Sequence, residues 1–472
     1  MSDPLYTHLL RARVDFTHRL QPWDGFGLNY VQTCHTPDPV ADPQDYGGFD
    51  TLADEEIERI LDLLFGPDGL GCGVVKMFLD PHHAAQPIAG GAPAYDHRRT
   101  TGSMLRFAHG ARQRMARQGR ELSILGTLYG PPGWMTRQGT FRGRDLDPAK
   151  EQALLDYLVD WAHFLLIREG LPLRHLSLHN EGECWRRWTP EGFDLPRDTG
   201  HDYNLHWPPE QVAAFVPRLR RALDAAGLPD VGVANGETFS WSRFSGWGYA
   251  DALLEDAQAV EALGLVTSHG FYNPWPHRWQ GSHDPSGFLR LRERRPDLKA
   301  WTTSASWGKM DAQMAWEWHH QIAQARISAL IPWACCQRSR LWAGGDPNPG
   351  TAIRVAGEGT WQVEPGYHFY QPLSRAGQPG TTVCATSCNE GGIFLTAFSG
   401  AGSPHPDAFV LTNCTDQTWP VPVEVRGSRH AAFRARCTDA RSRFAEAGRH
   451  ELEAGRLVYA APPGSVTGFY GC

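Results

Sequence analysis

The 472-residue chain carries 45 basic against 52 acidic residues, a formal charge of −7. It has no long Lys/Arg run, which argues against a nucleic-acid surface. Hydrophobic residues make up 41% and charged residues 21%, enough for a sizeable core, so disorder as the main state is excluded. No run of about 18 apolar residues is present, so no helix is expected to span a membrane.

At roughly 100–200 residues per domain, the length suggests two or three domains, or one large barrel with an appendage. Residues 1–16 hold no apolar stretch of about 7–15 residues before a small-residue cleavage site. The expectation is a cytoplasmic protein, or one from which a leader has been removed. Among the ten cysteines, Cys335 and Cys336 are adjacent and Cys384 and Cys388 lie four apart. With no CxxC pair there is no case for structural zinc, and reduced thiols are the plain reading. No metal or organic cofactor is implied, and oligomeric state is not legible. Eighteen Trp, 35 Pro and 50 Gly are the informative excess. Much of this is core and loop punctuation, but Trp in loops after strands also suits a sugar cleft, where a flat π face stacks on a pyranose ring.

Taken in chain order, residues 10–20 alternate apolar and polar, and they predict a strand that joins a later β domain. Eight short apolar runs follow, at 23–27, 73–79, 122–128, 173–178, 231–234, 264–268, 298–303 and 329–333. Amphipathic helices fall between them. The clearest covers 147–169, with Asp147 as N-cap and Pro148 in the first turn. Another covers 208–226 and stops at Gly227, a C′ glycine. This βαβα rhythm means parallel strands with crossover helices. Eight such units predict an α/β fold, a (β/α)₈ TIM barrel with enlarged loops over 21–355. A doubly wound open sheet is the rival, but no Gly-rich phosphate fingerprint follows an early strand. From 356 to 472 the segments are short, β-rich and bounded by Gly, Pro, Asn or Asp. They predict an accessory antiparallel β-sandwich domain, to which 1–20 contributes the N-terminal strand.

Chemistry in such a barrel sits at the C-terminal ends of the strands. The fourth barrel strand ends in His179-Asn180-Glu181, followed by Trp185 and Trp188. A solvated turn is the bland alternative, but an Asn-Glu tip on an apolar strand points to function. The sixth ends in His269-Gly270-Phe271-Tyr272 and runs on to Trp275 and Trp279. His269 and Tyr272 could orient a carboxylate and donate to a sugar hydroxyl, or His269 could be a core histidine. The third ends in the Pro/Gly-shaped loop Tyr129 to Met135, which carries Trp134 as a platform wall or a packing group. After the second, the adjacent His82 and His83 are weak metal evidence. Glu183 reads as a solvated loop position, and Glu317 as helical and too far past its strand for chemistry.

These residues, in this order, resemble glycoside hydrolase family 30, within the large clan of (β/α)₈ retaining β-glycosidases. Asp24-Gly25-Phe26-Gly27 is similar to the family's opening Gly-Phe-Gly turn. The loop Tyr129 to Met135 resembles its third-strand Pro-x-Trp loop, and Asn180-Glu181 its fourth-strand acid/base motif. The resemblance implies a carbohydrate substrate, Glu181 as acid/base, protonated at rest, and Asn180 bonded to the sugar 2-hydroxyl. Tyr272 and His269 would flank the nucleophile. Trp134, Trp185, Trp275, Trp307 and Trp333 would form a sugar platform.

One departure matters. Where the family carries its nucleophilic Glu at the end of the seventh strand, this chain has Ser304, and no Asp or Glu lies between Asp297 and Asp311. A retaining glycosidase needs two carboxyl groups about 5–5.5 Å apart. A neutral serine without an adjacent base cannot replace one of them. Three readings follow. Ser304 is a substitution that disables a retaining β-glycosidase, trapping substrate or leaving a glycosynthase. Alternatively the enzyme is naturally inverting, with Glu237 at the fifth-strand end activating water and the carboxyl groups about 6.5–9.5 Å apart. In the third reading it is a sugar-binding pseudoenzyme without turnover. The glycosidase readings require the Glu181 and Ser304 tips to share one sugar-sized gap.

Overall fold

The computed structural model describes residues 10–32, 45–83, 96–98, 100–139, 143–183, 205–271, 283–338, 350–357 and 359–472. Strand β1 (Ala12–Pro22) comes first. The next eight strands are β2 (Gly25–Asn29), β3 (Val74–Phe78), β4 (Ser123–Thr127), β5 (Leu173–Ser177), β6 (Gly232–Ala234), β7 (Leu263–Ser268), β8 (Ala300–Ala305) and β9 (Ala329–Pro332). They close into one barrel in chain order, every neighbouring pair parallel. β2, β3 and β8 are buried at every position. That is why they read as continuous apolar runs, since the helices cover one face and the barrel interior the other.

Val74, Leu125, Leu265, Trp301 and Ile331 fill the lumen as a core of their own. Two details of the opening turn have packing causes. A Cβ on Gly27 would meet Ile331 Cγ1 at 2.7 Å, so only glycine lets β2 approach β9. Asp24 ties β2 to β8, accepting from Lys299 Nζ at 2.5 Å and from Trp301 Nε1 at 2.9 Å.

The helix expected over 147–169 is three pieces. Asp147 caps a 3₁₀ turn (Pro148–Lys150) by accepting from the Ala149 amide at 3.0 Å. An α-helix (Glu151–His163) follows, and then a π turn (Phe164–Arg168). The second helix spans Pro209–Ala225, and Gly227 beyond it has φ +75°. Among the described residues no helix is long and apolar enough to cross a membrane, and no group of three or more His, Cys, Asp or Glu could hold a metal ion.

After the barrel the chain forms a three-stranded sheet from β10 (Cys336–Gln337), β11 (Ile353–Gly357) and β12 (Thr360–Val363), then a helix (Pro365–Ala376). The break expected at 355/356 therefore falls inside β11, and the second domain's strands start at Thr382. These are β13 (Thr382–Cys388), β14 (Ile393–Ser399), β15 (Ala408–Asn413), β16 (Trp419–Arg426), β17 (Ala432–Thr438), β18 (Ala445–Glu451), β19 (Arg456–Ala461) and β20 (Ser465–Gly471). With β1 they make a nine-stranded sheet, β18-β17-β20-β15-β14-β13-β1-β16-β19. It folds over on itself like a sandwich. Phe16 of β1 stacks on Phe433 of β17, ring centroids 6.5 Å apart, although four strands separate them in the sheet. The expectation of a purely antiparallel sandwich needs one correction, because β1 runs parallel to β16. A strand delivered from the far end of the sequence is not bound to the hairpin connections that impose antiparallel pairing.

Barrel and sandwich meet through Trp23, Phe26 and Phe398. Trp23 packs on Phe26 at 4.8 Å and on Phe398 at 5.3 Å, and its Nε1 donates to the Gly377 carbonyl at 2.8 Å.

Candidate active site

The C-terminal ends of β5 to β8 bring Glu181, Glu237, His269 and Ser304 onto one arc of the barrel mouth. Lys76 of β3 reaches across the lumen to meet them. Asn180 forms a parallel bridge with Glu237. The Glu181 amide donates to the Glu237 carbonyl at 2.7 Å, and the Glu237 amide donates to the His179 carbonyl at 2.8 Å. The two strand tips are thereby stitched together through the backbone.

This stitching fixes unusual conformations. Glu181 has φ +48°, a left-handed backbone that costs a non-glycine residue roughly 1–3 kcal/mol. The Gly182 amide beside it donates to His179 Nδ1 at 3.1 Å, and the Trp207 amide donates to the Gly182 carbonyl at 3.0 Å. At Gly236 the backbone has φ +100°, and a Cβ would come within 2.1 Å of the His179 ring. Glycine there lets the chain turn closely over His179 and deliver Glu237 into the barrel.

Glu237 is fully buried. Its Oε2 pairs with Lys76 Nζ, and its Oε1 accepts from the Thr127 hydroxyl at 2.5 Å. Lys76 Nζ also donates to Ser304 Oγ and to the Thr303 carbonyl, both at 3.2 Å. The Ser304 hydroxyl donates in turn to the Thr303 carbonyl at 2.5 Å. The serine is thus within bonding distance of the same ammonium that holds Glu237.

His269 lies between the two acids. Its Nδ1 is 3.4 Å from Glu237 Oε2, and its Nε2 is 3.8 Å from Glu181 Oε1. Burial, reinforced by the Lys76 charge, pushes His269 well below the ordinary imidazole range, so the ring is neutral near pH 7. With its proton on Nδ1 toward Glu237, Nε2 turns a lone pair toward Glu181. That arrangement suits Glu181 in its acid form.

An aromatic wall borders this cluster. Phe271 packs on His269 at 5.5 Å and on Phe239 at 4.9 Å. Arg243 lies over the Phe239 ring at 4.4 Å. Glu183, expected as a solvated loop residue, is buried instead. It accepts from the Phe239 amide at 2.6 Å and from Arg243 Nη1 at 3.3 Å, which makes it a tether for this wall.

The expected tryptophans divide. Trp134 stands in a 3₁₀ turn (Gly133–Met135) just past β4, 56% exposed, with Lys150 Nζ 5.4 Å from its ring centre. It can offer a face to a sugar. Trp307 cannot, and its place in the platform is corrected. It is wholly buried against Trp318 and Tyr370 at 5.6 Å each, its Nε1 donating to the Trp333 carbonyl. Trp333 is 5% exposed, with Phe78 edge-on at 6.3 Å, so it closes the mouth's floor and presents little open face. Trp185, Tyr272 and Trp275, with Trp188 and Trp279, lie outside the described residues.

Three groups went unread in the sequence. Lys76 is the largest omission, and its signal was visible: one lysine inside an otherwise apolar barrel strand. Thr127 at the end of β4 is another. Asn29, at the end of β2 and in register with Lys76, is buried with no partner for either side-chain polar atom among the described residues. A buried amide of this kind takes its partners from water, from a ligand or from residues outside the described ones.

No protein-family model matches the chain, and no curated protein does. Solved structures share its fold along nearly its whole length. A family 30 subfamily 8 xylanase from Clostridium acetobutylicum superposes with a TM-score of 0.71 at 17% identity, covering 97% of this chain and 98% of that one. The catalytic domain of family 30 xylanase C from Talaromyces cellulolyticus gives 0.70 at 18% identity, covering 98% and 100%. The architecture is that of the family 30 glycoside hydrolases. An endo-β1,6-glucanase shares it too, with a TM-score of 0.66 at 16% identity and coverage of 98% and 94%. At these identities the likeness is one of fold, and the chemistry rests on this chain's own residues.

Proposed function

We propose that this chain is an O-glycosyl hydrolase cleaving a β-linked glycoside or oligosaccharide, with Glu181 and Glu237 as its two working carboxyl groups. The observation that carries the reading is the neutral His269 ring set between those two acids at the mouth of a barrel of this fold. Solved structures of the same fold are named as xylanases and as an endo-β1,6-glucanase, which supports reading the substrate as a carbohydrate.

In this reading Glu181 gives its proton to the glycosidic oxygen as that bond breaks. Glu237 takes a proton from a water molecule, which attacks the anomeric carbon from the opposite face. The short Ser304 side chain, beside Lys76, is where the water is placed. Lys76 keeps Glu237 next to a cation throughout, and the uncharged His269 separates the two acids. Trp134 forms an outer wall, and Asn180 and Asn29 bond sugar hydroxyls.

A second reading is favoured by one contact, Lys76 Nζ to Ser304 Oγ. A glutamate at 304 would end near that ammonium, as the nucleophile of a retaining enzyme would, and Ser304 would then be a disabling substitution. Activity toward a panel of aryl β-glycosides separates the two in the chain as it stands, in Glu237→Gln and in Ser304→Glu. The proposal expects hydrolysis by the parent chain, its loss in Glu237→Gln and no gain in Ser304→Glu. A large gain in Ser304→Glu over an inert parent establishes the second reading instead.

A further inference from the structure

A cleft of about 730 Å³ opens at the other end of the barrel, where the barrel floor meets the sandwich. Its walls carry five arginines, Arg120, Arg375, Arg434, Arg436 and Arg443, with His368 and His405 beside them. Among the described residues Asp68 is the one carboxylate in its lining. This concentration of positive charge belongs to a chain whose formal charge is −7, so composition does not account for it.

The arginines come from separate elements. Arg120 precedes β4 at the barrel floor, Arg375 ends the helix Pro365–Ala376, Arg434 and Arg436 lie on β17, and Arg443 follows it. Arg436 reaches Glu446 at 3.6 Å, on the exposed side. Among the described residues no carboxylate stands within ion-pair distance of the other four. Two of them are held by backbone oxygens instead: Arg120 Nη2 donates to the Gly71 carbonyl at 2.7 Å, and Arg375 Nη1 to the Pro67 carbonyl at 2.6 Å. Those bonds fix the guanidinium groups without neutralising them, leaving donors for a ligand. The neighbouring arginines act on the titration of the walls as lesser causes beside burial. Burial foremost, with Arg375 acting in the same direction, lowers Arg120, and burial followed by Arg120 and Arg375 lowers His405.

We infer that this cleft binds a compact ligand bearing two or more oxyanionic charges, phosphate or carboxylate, at a site separate from the carboxyl pair. Unpaired cations drawn from four elements raise the free energy of the empty cleft, and a polyanion lowers it through paired Arg–oxyanion bonds. The volume is that of a small-molecule site, with Phe444 and Tyr470 supplying its apolar edges. Such a ligand would also clamp the sandwich to the barrel, since Arg120 and Arg434 sit on different domains.

Calorimetric titration of the full chain at low salt with pyrophosphate, and separately with a trimer of galacturonate, tests this. The double reversal Arg434→Glu/Arg443→Glu is the control, because both side chains are exposed on the sandwich and outside the proposed catalytic machinery. Binding of either probe, weakened at least about tenfold by the double reversal, confirms the site, and the probe that binds identifies the oxyanion. Thermal melting of the variant at the parent temperature shows that it is folded, and the milder Arg443→Gln should weaken binding in the same sense. Failure of both probes to bind, or binding indifferent to the reversal, overturns the inference.

Discussion

The Glu181 amide donates to the Glu237 carbonyl at 2.7 Å, so the two acids are locked together by backbone before any side chain is considered. Moving either strand tip moves both. Position 304, two strands further round, is coupled to this pair through Lys76 and not by a direct bond.

Replacing Glu181 with Gln keeps the shape and removes the transferable proton. The expected loss in kcat is roughly 10²–10⁴-fold on substrates with poor leaving groups. It shrinks toward parity on aryl glycosides whose leaving group needs no protonation. A plot of log kcat/KM against leaving-group acidity checks this. An equal loss across the series contradicts the acid role.

Lys76→Met leaves Glu237 buried without its cation, at a cost of about 3–5 kcal/mol. Lys76→Met combined with Glu237→Leu removes both charges and should recover most of that loss, because burying the pair is itself expensive. Urea midpoints of the parent, the single and the double variant measure it. Both variants should be inactive.

Stability should fall on acidification. His83, His179 and His283 are buried, and burial pulls each down to about 3, whereas an unfolded histidine titrates near 6.5. Between those values the unfolded chain binds protons that the folded chain does not. Their contribution is complete above about pH 6.5 and declines by up to about 1.4 kcal/mol per group per pH unit below it. His283→Leu should flatten the dependence of the urea midpoint on pH between about 7 and 5. An unchanged slope contradicts its burial as a neutral ring.

Two of the three described tryptophans that were expected to do the same work, Trp134 and Trp307, should behave oppositely. Trp307→Ala opens a hole in the core and should cost about 3–5 kcal/mol. Trp134→Ala should leave the melting temperature unchanged and raise KM by up to about tenfold. Thermal melts and steady-state kinetics on both variants decide it.

The barrel was legible because its strands are largely buried on both faces and so read as bounded apolar runs, as in residues 73–79. The same reading hid Lys76. A lysine within such a run reads as part of the strand, although a charge in a barrel lumen requires a partner from another strand, here Glu237. The burial of Trp307 was not legible for a related reason. What covers it, Trp318 and Tyr370, comes from distant segments, so its loop position says nothing of its exposure. The parallel pairing of β1 with β16 likewise joins segments about 400 residues apart, beyond any local pattern. Glu181, Glu237, His269 and Ser304 could be singled out because a barrel of this topology exposes residues at the ends of its strands.

Proton magnetic resonance of the first sugar released from a β-linked substrate, recorded before mutarotation, bears most directly on the pairing of Glu181 with Glu237. The α-anomer should appear first, from one displacement by water. First appearance of the β-anomer, or no hydrolysis of any β-linked glycan, contradicts it.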